Sequence, residues 1–344
     1  MSWVEQELRE QPDAVARFLD RERDNVTRLA RELFRPDVNY LLIASRGSSG
    51  NAARYAQYVL GARNGLPVAF STPSLYTLYE APPRLDGALV IGISQSGASP
   101  DVVAVLAEAR AQGRPTLAIT NDTDSDLATA AEWVLPLHAG DEHAVAATKT
   151  YLTSIAAVAL LSAALDDVAG VDELVEAPTW IAAQVERSLA DAPDLDRYRE
   201  VDGGSVIARG VNLGTAFEIA LKIRELSGAP FEPFSSADLM HGPIAALAPG
   251  RPAILVGPAG PALESLRGSI AKLRERGAPV IAISDDDALL TAADTRLPLV
   301  RTVPEWLSPL LTVIPGQVAA LRLATLRGGD VDRPAGLTKV TLTR

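Results

Sequence analysis

Two segments of this chain each run from an apolar strand through a serine-rich turn into a helix. In VIGISQSGASPDVV, residues 90–103, Ser94, Ser96 and Ser99 crowd the turn, and Gly97 lets the backbone approach a ligand closely. A helix start offers unpaired N–H groups and the positive end of a dipole, so this turn can hold a phosphate without Lys or Arg. Serine before a helix is also an ordinary cap, so this segment alone supports both interpretations equally.

The second segment, NYLLIASRGSSGNAARYAQYVLG, favours the phosphate site. Its apolar run Tyr40–Ala44 predicts a buried parallel strand, and RGSSG at 46–50 predicts a turn before a helix that begins at Asn51 or Ala52. Open α/β sheets bind ligands at the carboxyl edge of their strands, so two such turns can face one phosphate. Neither segment matches GxGxxG or GxxxxGK[ST], which argues against a nucleotide.

Composition limits the partners and cofactors. With 344 residues, 47% of them hydrophobic, the chain can bury a full core and form two domains. The net charge of -11 disfavours nucleic acid and anionic membranes. No cysteine is present and the three histidines form no ligand cluster, so we expect no metal and no cofactor.

Two further patterns bear on location. The charged opening MSWVEQELREQPDAV has no apolar signal core, so we expect a cytoplasmic protein. The most apolar run, Tyr151–Leu165, is shorter than the roughly 20 residues that span a bilayer, and it predicts a buried helix.

The two halves of the chain repeat one pattern. Arg46-Gly47 before a helix corresponds to Arg209-Gly210, 163 residues later, and Leu117–Ile119 corresponds to Ile281–Ile283, 164 residues later. A steady offset indicates two copies of one α/β unit. In the second copy, Val211-Asn212 and Pro258 replace the serines that the first copy has at 48–49 and 94. We therefore expect one phosphate site per chain, in the first half.

Candidate catalytic residues lie in the second half. Glu218, Lys222 and Glu225 are spaced i, i+4 and i+7, which places them on one stripe of a helix. For an arbitrary helix a solvent-facing row of ion pairs is the better interpretation. This helix follows Arg209-Gly210, so we expect its first turns at the ligand edge of the second sheet. His241 lies before a helix predicted from Pro243, where a lone loop histidine is usually a surface residue.

Six motifs in order, SRGSS, ISQSG, AVAATK, ALKIRELS, LMHGP and DVDRPAGLTK, resemble the sugar isomerase (SIS) domains of the isomerase half of glucosamine-6-phosphate synthase. The resemblance covers essentially the whole chain. It implies an α/β protein of two tandem SIS domains, each a parallel sheet flanked by helices in a three-layer αβα, flavodoxin-like arrangement. We expect a helical segment at 1–34, SIS domains at 35–165 and 203–327, a helical connector at 166–202 and a tail at 328–344 that closes over the active site.

The resemblance also implies roles for single residues. Those that would hold the phosphate and nearby sugar hydroxyls are Ser48, Ser49, Ser94, Gln95, Ser96 and Ser99. Val145 and Ala147 would line the sugar, with Ala147 in place of a serine of the family pattern.

The implied catalytic group has four members. Glu225 matches the acid that moves a proton between C1 and C2, and Lys222 matches a supporting lysine one turn earlier. His241 matches the ring-opening histidine, which in the family reaches the neighbouring subunit's site, so a homodimer is implied. Lys339 matches a tail lysine that forms a Schiff base with the open-chain ketose, which requires its pKa to be lowered by burial or a nearby cation. We therefore expect an ordered tail.

The family contains more than one activity. The full synthase has an amidotransferase domain with a cysteine nucleophile, and this sequence has no cysteine. Free ammonia is then the nitrogen source, and at ordinary dilution mass action favours its release. We predict conversion of glucosamine 6-phosphate to fructose 6-phosphate and ammonia. The alternatives are a deglycase of amino-acid adducts of sugar phosphates, with a larger pocket, and a sugar-phosphate sensor without catalysis, which the retained Glu225, His241 and Lys339 disfavour.

Overall fold

The computed structural model describes residues 1–166 and 168–339. It contains two five-stranded sheets, each wholly parallel. The chain divides into two compact units around them. The first-sheet unit comprises Gln11–Glu142, Lys149–Pro178 and the tail from Thr338. The second-sheet unit comprises Met1–Glu10, His143–Thr148 and Thr179–Leu337. The linear boundaries expected above, 35–165 and 203–327 with their flanking segments, stay a prediction.

The strands of both sheets follow apolar runs of the sequence. In chain order they are β1 Tyr40–Ser45, β2 Val68–Phe70, β3 Ala88–Ser94, β4 Thr116–Thr120, β5 Trp133–Pro136, β6 Gly204–Ala208, β7 Phe231–Ser235, β8 Ala253–Val256, β9 Val280–Ser284 and β10 Thr295–Pro298. The helices are α1 Trp3–Arg9, α2 Gln11–Leu33, α3 Gly47–Asn64, α4 Ser74–Thr77, α5 Pro100–Ala111, α6 Asp126–Ala130, α7 Lys149–Asp166, α8 Val168–Val175, α9 Ala177–Ala190, α10 Leu213–Ser227, α11 Ser236–Met240, α12 Leu263–Glu275, α13 Asp287–Thr291 and α14 Pro309–Leu326.

The first sheet has the strand order β2-β1-β3-β4-β5. The side chains of β1, β3 and β4 pack on one face against α5 and α6, while α2, α3 and α7 lie on the other. This three-layer order is the flavodoxin-like one expected, with its switch point between β1 and β3. Because Ser45 pairs with Ile93, the turns that follow these two strands start side by side.

The second sheet has the order β10-β9-β8-β6-β7, which is the same order when its strands are counted from β6. Here α11, α12 and α13 pack on one face, and α10 and α14 contact each other closely. Gly316 of α14 lies against Ile219 of α10, where an added Cβ would overlap the isoleucine side chain. A glycine at this position thus allows the close approach of the two helices.

Two apolar helices bear on the question of a membrane. The helix α7 is almost entirely buried, as its sequence predicts. The stretch Glu305–Leu326 is long and apolar enough to cross a bilayer, yet 83% of its most apolar window is buried inside the structure. Core helices pass the same test of length and composition, so this stretch is only weak evidence for a membrane.

Candidate functional site

The turn between β3 and α5 contains four of the predicted phosphate residues. The Ser94 hydroxyl is buried and accepts from the Gly97 N–H at 3.2 Å, and the Ser96 hydroxyl accepts from the Ala98 N–H at 3.4 Å. Each hydroxyl keeps its own hydrogen, which it can donate to an anion. Ser99 occupies the N-cap of α5, but its side chain makes no capping bond. The ordinary capping role therefore does not account for the hydroxyl of Ser99.

A glycine and its neighbours hold this turn in shape. Gly97 has φ +61°, and a Cβ there would overlap Ser125 of the next turn. The Gly97 carbonyl accepts from the Leu127 N–H at 3.0 Å, and the Gln95 carbonyl accepts from the Asn121 N–H at 3.1 Å. The backbone around Gln95 is thus fixed by contacts with the segment that follows β4.

The turn after β1 corrects one expectation. The helix α3 begins at Gly47 rather than at Asn51 or Ala52, so Ser48 and Ser49 lie in its first turn. Gly47 has φ +52° and reverses the chain within one residue, and the Gly50 N–H already donates to the Arg46 carbonyl at 3.0 Å. Ser48 and Ser49 are half-buried at a helix N-terminus, a position that favours anions.

An ion pair that the sequence analysis missed joins the two serine-bearing helix starts. Nε and Nη2 of Arg46 lie 2.7 Å and 2.6 Å from the Oδ2 atom of Asp101, which is in the first turn of α5 and only 1% exposed. A buried carboxylate at this point would repel a phosphate, and the guanidinium neutralises it. The sequence signal for this ion pair is an acid, Asp101, in the first helical turn after a serine motif.

Arg46→Ala is expected to weaken binding of inorganic phosphate about tenfold, because Asp101 is then uncompensated beside the anion. The double variant Arg46→Ala/Asp101→Asn removes both charges and should bind within a few-fold of the wild type. Isothermal titration of inorganic phosphate into these two variants and into Asp101→Asn measures every member of this double-mutant cycle. Unchanged binding by Arg46→Ala would contradict the compensation.

The segment 143–148 contains the two residues expected to line the sugar, and it belongs to the second-sheet unit. Val145 and Ala147 are half-buried there. The carboxylate of Glu7, 1% exposed, accepts from the backbone N–H groups of His143 and Ala144. Glu7 therefore positions this segment, through a contact between residues 136 positions apart that sequence patterns do not show.

The acid-base-acid stripe of α10 is buried rather than solvent-facing. Lys222 Nζ lies 3.4 Å from Glu218 Oε1 and 2.5 Å from Glu225 Oε2. The side chains of Glu218 and Lys222 are 0% and 1% exposed, whereas that of Glu225 is 23% exposed. The interpretation as a surface row of ion pairs is therefore wrong. Lys222 fixes the orientation of the Glu225 carboxylate, which is the partly exposed one of the two acids in this stripe.

The first turns of the helix α10 lie at the ligand edge of the second sheet, as expected, but Glu225 does not. The helix α10 starts at the carboxyl edge of the second sheet, but Glu225 lies in its last turns, about 18 Å farther along the axis. His241 follows β7 and the short helix α11 at the carboxyl edge, where it is exposed. The structure therefore does not bring His241 and Glu225 of one chain together. The helix predicted from Pro243 is only a 3₁₀ turn, Pro243–Ala246.

Lys339 lies in the first-sheet unit, paired with a buried acid. Its Nζ donates to Glu142 Oε2 at 2.7 Å, and the Glu142 carboxylate also accepts from the N–H and the hydroxyl of Thr150. The Lys339 side chain is 25% exposed. The tail is described as far as this residue, and residues 340–344 of the expected ordered tail lie outside the described part of the chain.

The structure thus assembles the predicted residues in two groups. The serine turns lie side by side in the first-sheet unit, and Lys222 and Glu225 are in contact in the second-sheet unit. Among residues 1–166 and 168–339, no three acids or histidines form a group that could hold a metal ion. The functions of all these residues stay predictions.

Comparison with known proteins identifies the family. The model of the SIS domain matches residues 37–164 and 205–327. Glutamine–fructose-6-phosphate aminotransferase (isomerizing) of Thermococcus kodakarensis is 31% identical over an alignment that covers 97% of this chain and 56% of that protein. The protein of the same name from Streptomyces coelicolor is 32% identical, with 98% and 58% covered. The chain thus spans a little more than half the length of these curated relatives.

Solved structures agree with the fold. A candidate phosphosugar isomerase from Silicibacter pomeroyi superimposes with a TM-score of 0.87 at 32% identity, over 96% of this chain and 100% of that one. The C-terminal domain of glucosamine-fructose-6-phosphate aminotransferase from Francisella tularensis has a TM-score of 0.84 at 24% identity, with 96% and 98% covered, and it shares the fold. Because the family model matches both halves of the chain and the two sheets have the same strand order, this chain belongs to the SIS domain family.

Proposed function

We propose that this chain is a phosphosugar isomerase that deaminates glucosamine 6-phosphate to fructose 6-phosphate and ammonia. The observation that carries the proposal is the buried Lys222, which holds the partly exposed Glu225 carboxylate at 2.5 Å in a chain that also has two adjacent serine-bearing helix starts. The relatives at 31–32% identity are named for an aminotransferase that uses the same fructose 6-phosphate.

The serine turns supply the phosphate site of this proposal. Helix N-termini and hydroxyls hold a dianion by hydrogen bonds, with Arg46 already committed to Asp101. Ser48, Ser49, Ser94, Ser96 and Ser99 act on the phosphate, and Gln95 acts on a nearby sugar hydroxyl. Val145 and Ala147 line the sugar, and the methyl group of Ala147 provides no hydrogen bond where the family pattern has a serine.

Glu225 is the proton carrier. On the open-chain amino sugar it removes the C2 proton and returns it to C1. At the same time the C2 amine loses a proton and the C1 aldehyde oxygen gains one, so that a C2 imine and a C1 hydroxyl form. Lys222 orients this carboxylate, and the buried Glu218 carboxylate contacts the same ammonium group at 3.4 Å. Water then adds to the imine carbon, and ammonia leaves to give the ketose.

Lys339 provides an alternative to the direct attack of water on the imine in the last step. Its amine attacks the C2 imine, displaces ammonia and forms a Schiff base that water later hydrolyses. The ammonium must first give up a proton, which requires its ion pair with the buried Glu142 carboxylate, 2.7 Å away, to open.

We also propose a homodimer in which His241 opens the sugar ring in the partner's site. Within one chain, His241 and Glu225 lie at opposite edges of the second sheet, separated by about the length of strand β7, ~13 Å. The reaction belongs in the cytoplasm, where charged sugar phosphates are retained.

An ammonia-release assay tests the proposal. Glucosamine 6-phosphate should yield ammonia and fructose 6-phosphate in equal amounts, while N-acetylglucosamine 6-phosphate and unphosphorylated glucosamine should yield none. Release of an amino acid from a sugar-phosphate adduct, without turnover of glucosamine 6-phosphate, would replace the proposal with a deglycase. Tight binding of sugar phosphates with no turnover of any would replace it with a sensor.

A further inference from the structure

The short helix α1 carries a buried acid that the proposed mechanism does not use. Glu7 is 1% exposed, and its Oε1 atom accepts from the backbone N–H groups of His143 and Ala144, the latter at 3.3 Å. Its Oε2 atom lies 3.4 Å from the same Ala144 nitrogen. Burying a carboxylate is costly unless hydrogen bonds replace those it made to water. These bonds tie α1 to the first two residues of the segment 143–148.

A second side chain of α1 contacts the same segment. The ring of Trp3 lies 4.7 Å from that of His143, centroid to centroid, at an interplanar angle of 52°. Trp3 and Glu7 are four residues apart, so they share one face of the helix. The helix itself is packed within the second-sheet unit, where Val4 and Leu8 are 1% and 0% exposed. One face of α1 thus holds both the backbone and a side chain at the start of the segment.

The segment depends on such contacts, because residues 143–148 belong to no helix or strand. Burial alternates along it, since every second residue from Ala144 to Thr148 is buried and the residues between them are more exposed. Val145 and Ala147, the two residues expected to line the sugar, therefore lie on the more exposed side. Two bonds to consecutive N–H groups fix which residues point outward, because a shift of one position would turn the alternate set outward instead.

We propose that Glu7 is a positioning residue for the sugar, which sets the affinity for sugar phosphates through the segment 143–148 and has no part in phosphate recognition. The inference rests on the proposed function, because it takes Val145 and Ala147 to line the sugar. Loss of the Glu7 acceptor releases two N–H groups, so the sugar-lining face is no longer held in one orientation. Binding of the sugar then weakens. The serine turns belong to the first-sheet unit and contain none of these contacts, so phosphate binding persists.

Glu7→Leu tests the inference, because it removes the acceptor atoms and keeps a side chain of similar volume. In isothermal titrations the Kd of fructose 6-phosphate should rise about tenfold, while that of inorganic phosphate stays within about twofold. In the ammonia-release assay, KM for glucosamine 6-phosphate should rise by about the same factor, with kcat within about threefold of the wild type. The matched control is Glu5→Leu in the same helix, where the acid is 31% exposed and pairs with Arg9. The control should change neither Kd.

Unchanged affinity for fructose 6-phosphate, or equal weakening of both ligands, would overturn the inference. If Glu7→Leu does not fold, Glu7→Asp withdraws the carboxylate by one methylene group. Amide exchange at His143 and Ala144 should then quicken about tenfold or more, and unchanged exchange would equally overturn it. The titrations and the exchange are independent of turnover. A wild type that binds fructose 6-phosphate but releases no ammonia would therefore end the proposed deaminase and leave this inference intact, and if it bound no fructose 6-phosphate, the exchange would still decide whether Glu7 positions the segment.

Discussion

Glu225→Gln is expected to lower kcat for glucosamine 6-phosphate by about 10²–10⁴-fold and to leave KM within about twofold. The amide has nearly the same shape and can still accept a hydrogen bond from Lys222, but it cannot take a proton from carbon. In the proposed mechanism other residues recognise the phosphate, so substrate binding should persist. Steady-state kinetics together with isothermal titration of fructose 6-phosphate would measure both effects.

The control for Glu225→Gln is Glu232→Gln, an exposed acid on β7 of the same unit, which should retain full activity. Full activity in Glu225→Gln would remove this residue from the mechanism. The variant also tests the role of His241 when it is mixed with an inactive His241→Asn protein. Mixed dimers should regain part of the activity if His241 serves the partner's site, and confirmed mixed dimers without activity would contradict that sharing.

The fold could be predicted largely because its signals are local. The run Tyr40–Ala44 is apolar and is followed by turn residues, and it forms the strand β1, Tyr40–Ser45, as predicted. The helical segment expected at 1–34 contains α1 and α2, and the apolar face of α2 is buried. Parallel pairing follows from alternation of strands and helices, since each crossover returns the chain to the same edge.

The site was less predictable because its decisive contacts join distant parts of the chain. Arg46 and Asp101 are 55 residues apart, and Glu7 is 136 residues from His143. The spacing of Glu218 and Lys222 predicts a shared helix face but does not distinguish a buried face from an exposed one, because burial depends on what α14 packs against. The start of α3 was misplaced for a local reason, because Gly47 turns the chain in a single residue.

Lys222→Met is expected to destabilise the protein by about 3–5 kcal/mol, the usual cost of removing one partner from a buried ion pair. Glu218 is 0% exposed and would keep an uncompensated charge, while Glu225 would lose the group that orients it. Since whole proteins are stable by only about 5–15 kcal/mol, much of this variant should be unfolded at moderate urea concentrations. Urea denaturation followed by tryptophan fluorescence would measure the loss.

The double variant Lys222→Met/Glu218→Gln separates charge from packing. It leaves a neutral pair of similar volume in place of the buried ions, and such replacements cost little or even stabilise. It should therefore recover more than half of the stability lost by Lys222→Met, although Glu225 stays unoriented and kcat stays low. If the two substitutions instead destabilise additively, Lys222 stabilises the helix by packing alone. The buried lysine would then be no support for Glu225 as the proton carrier.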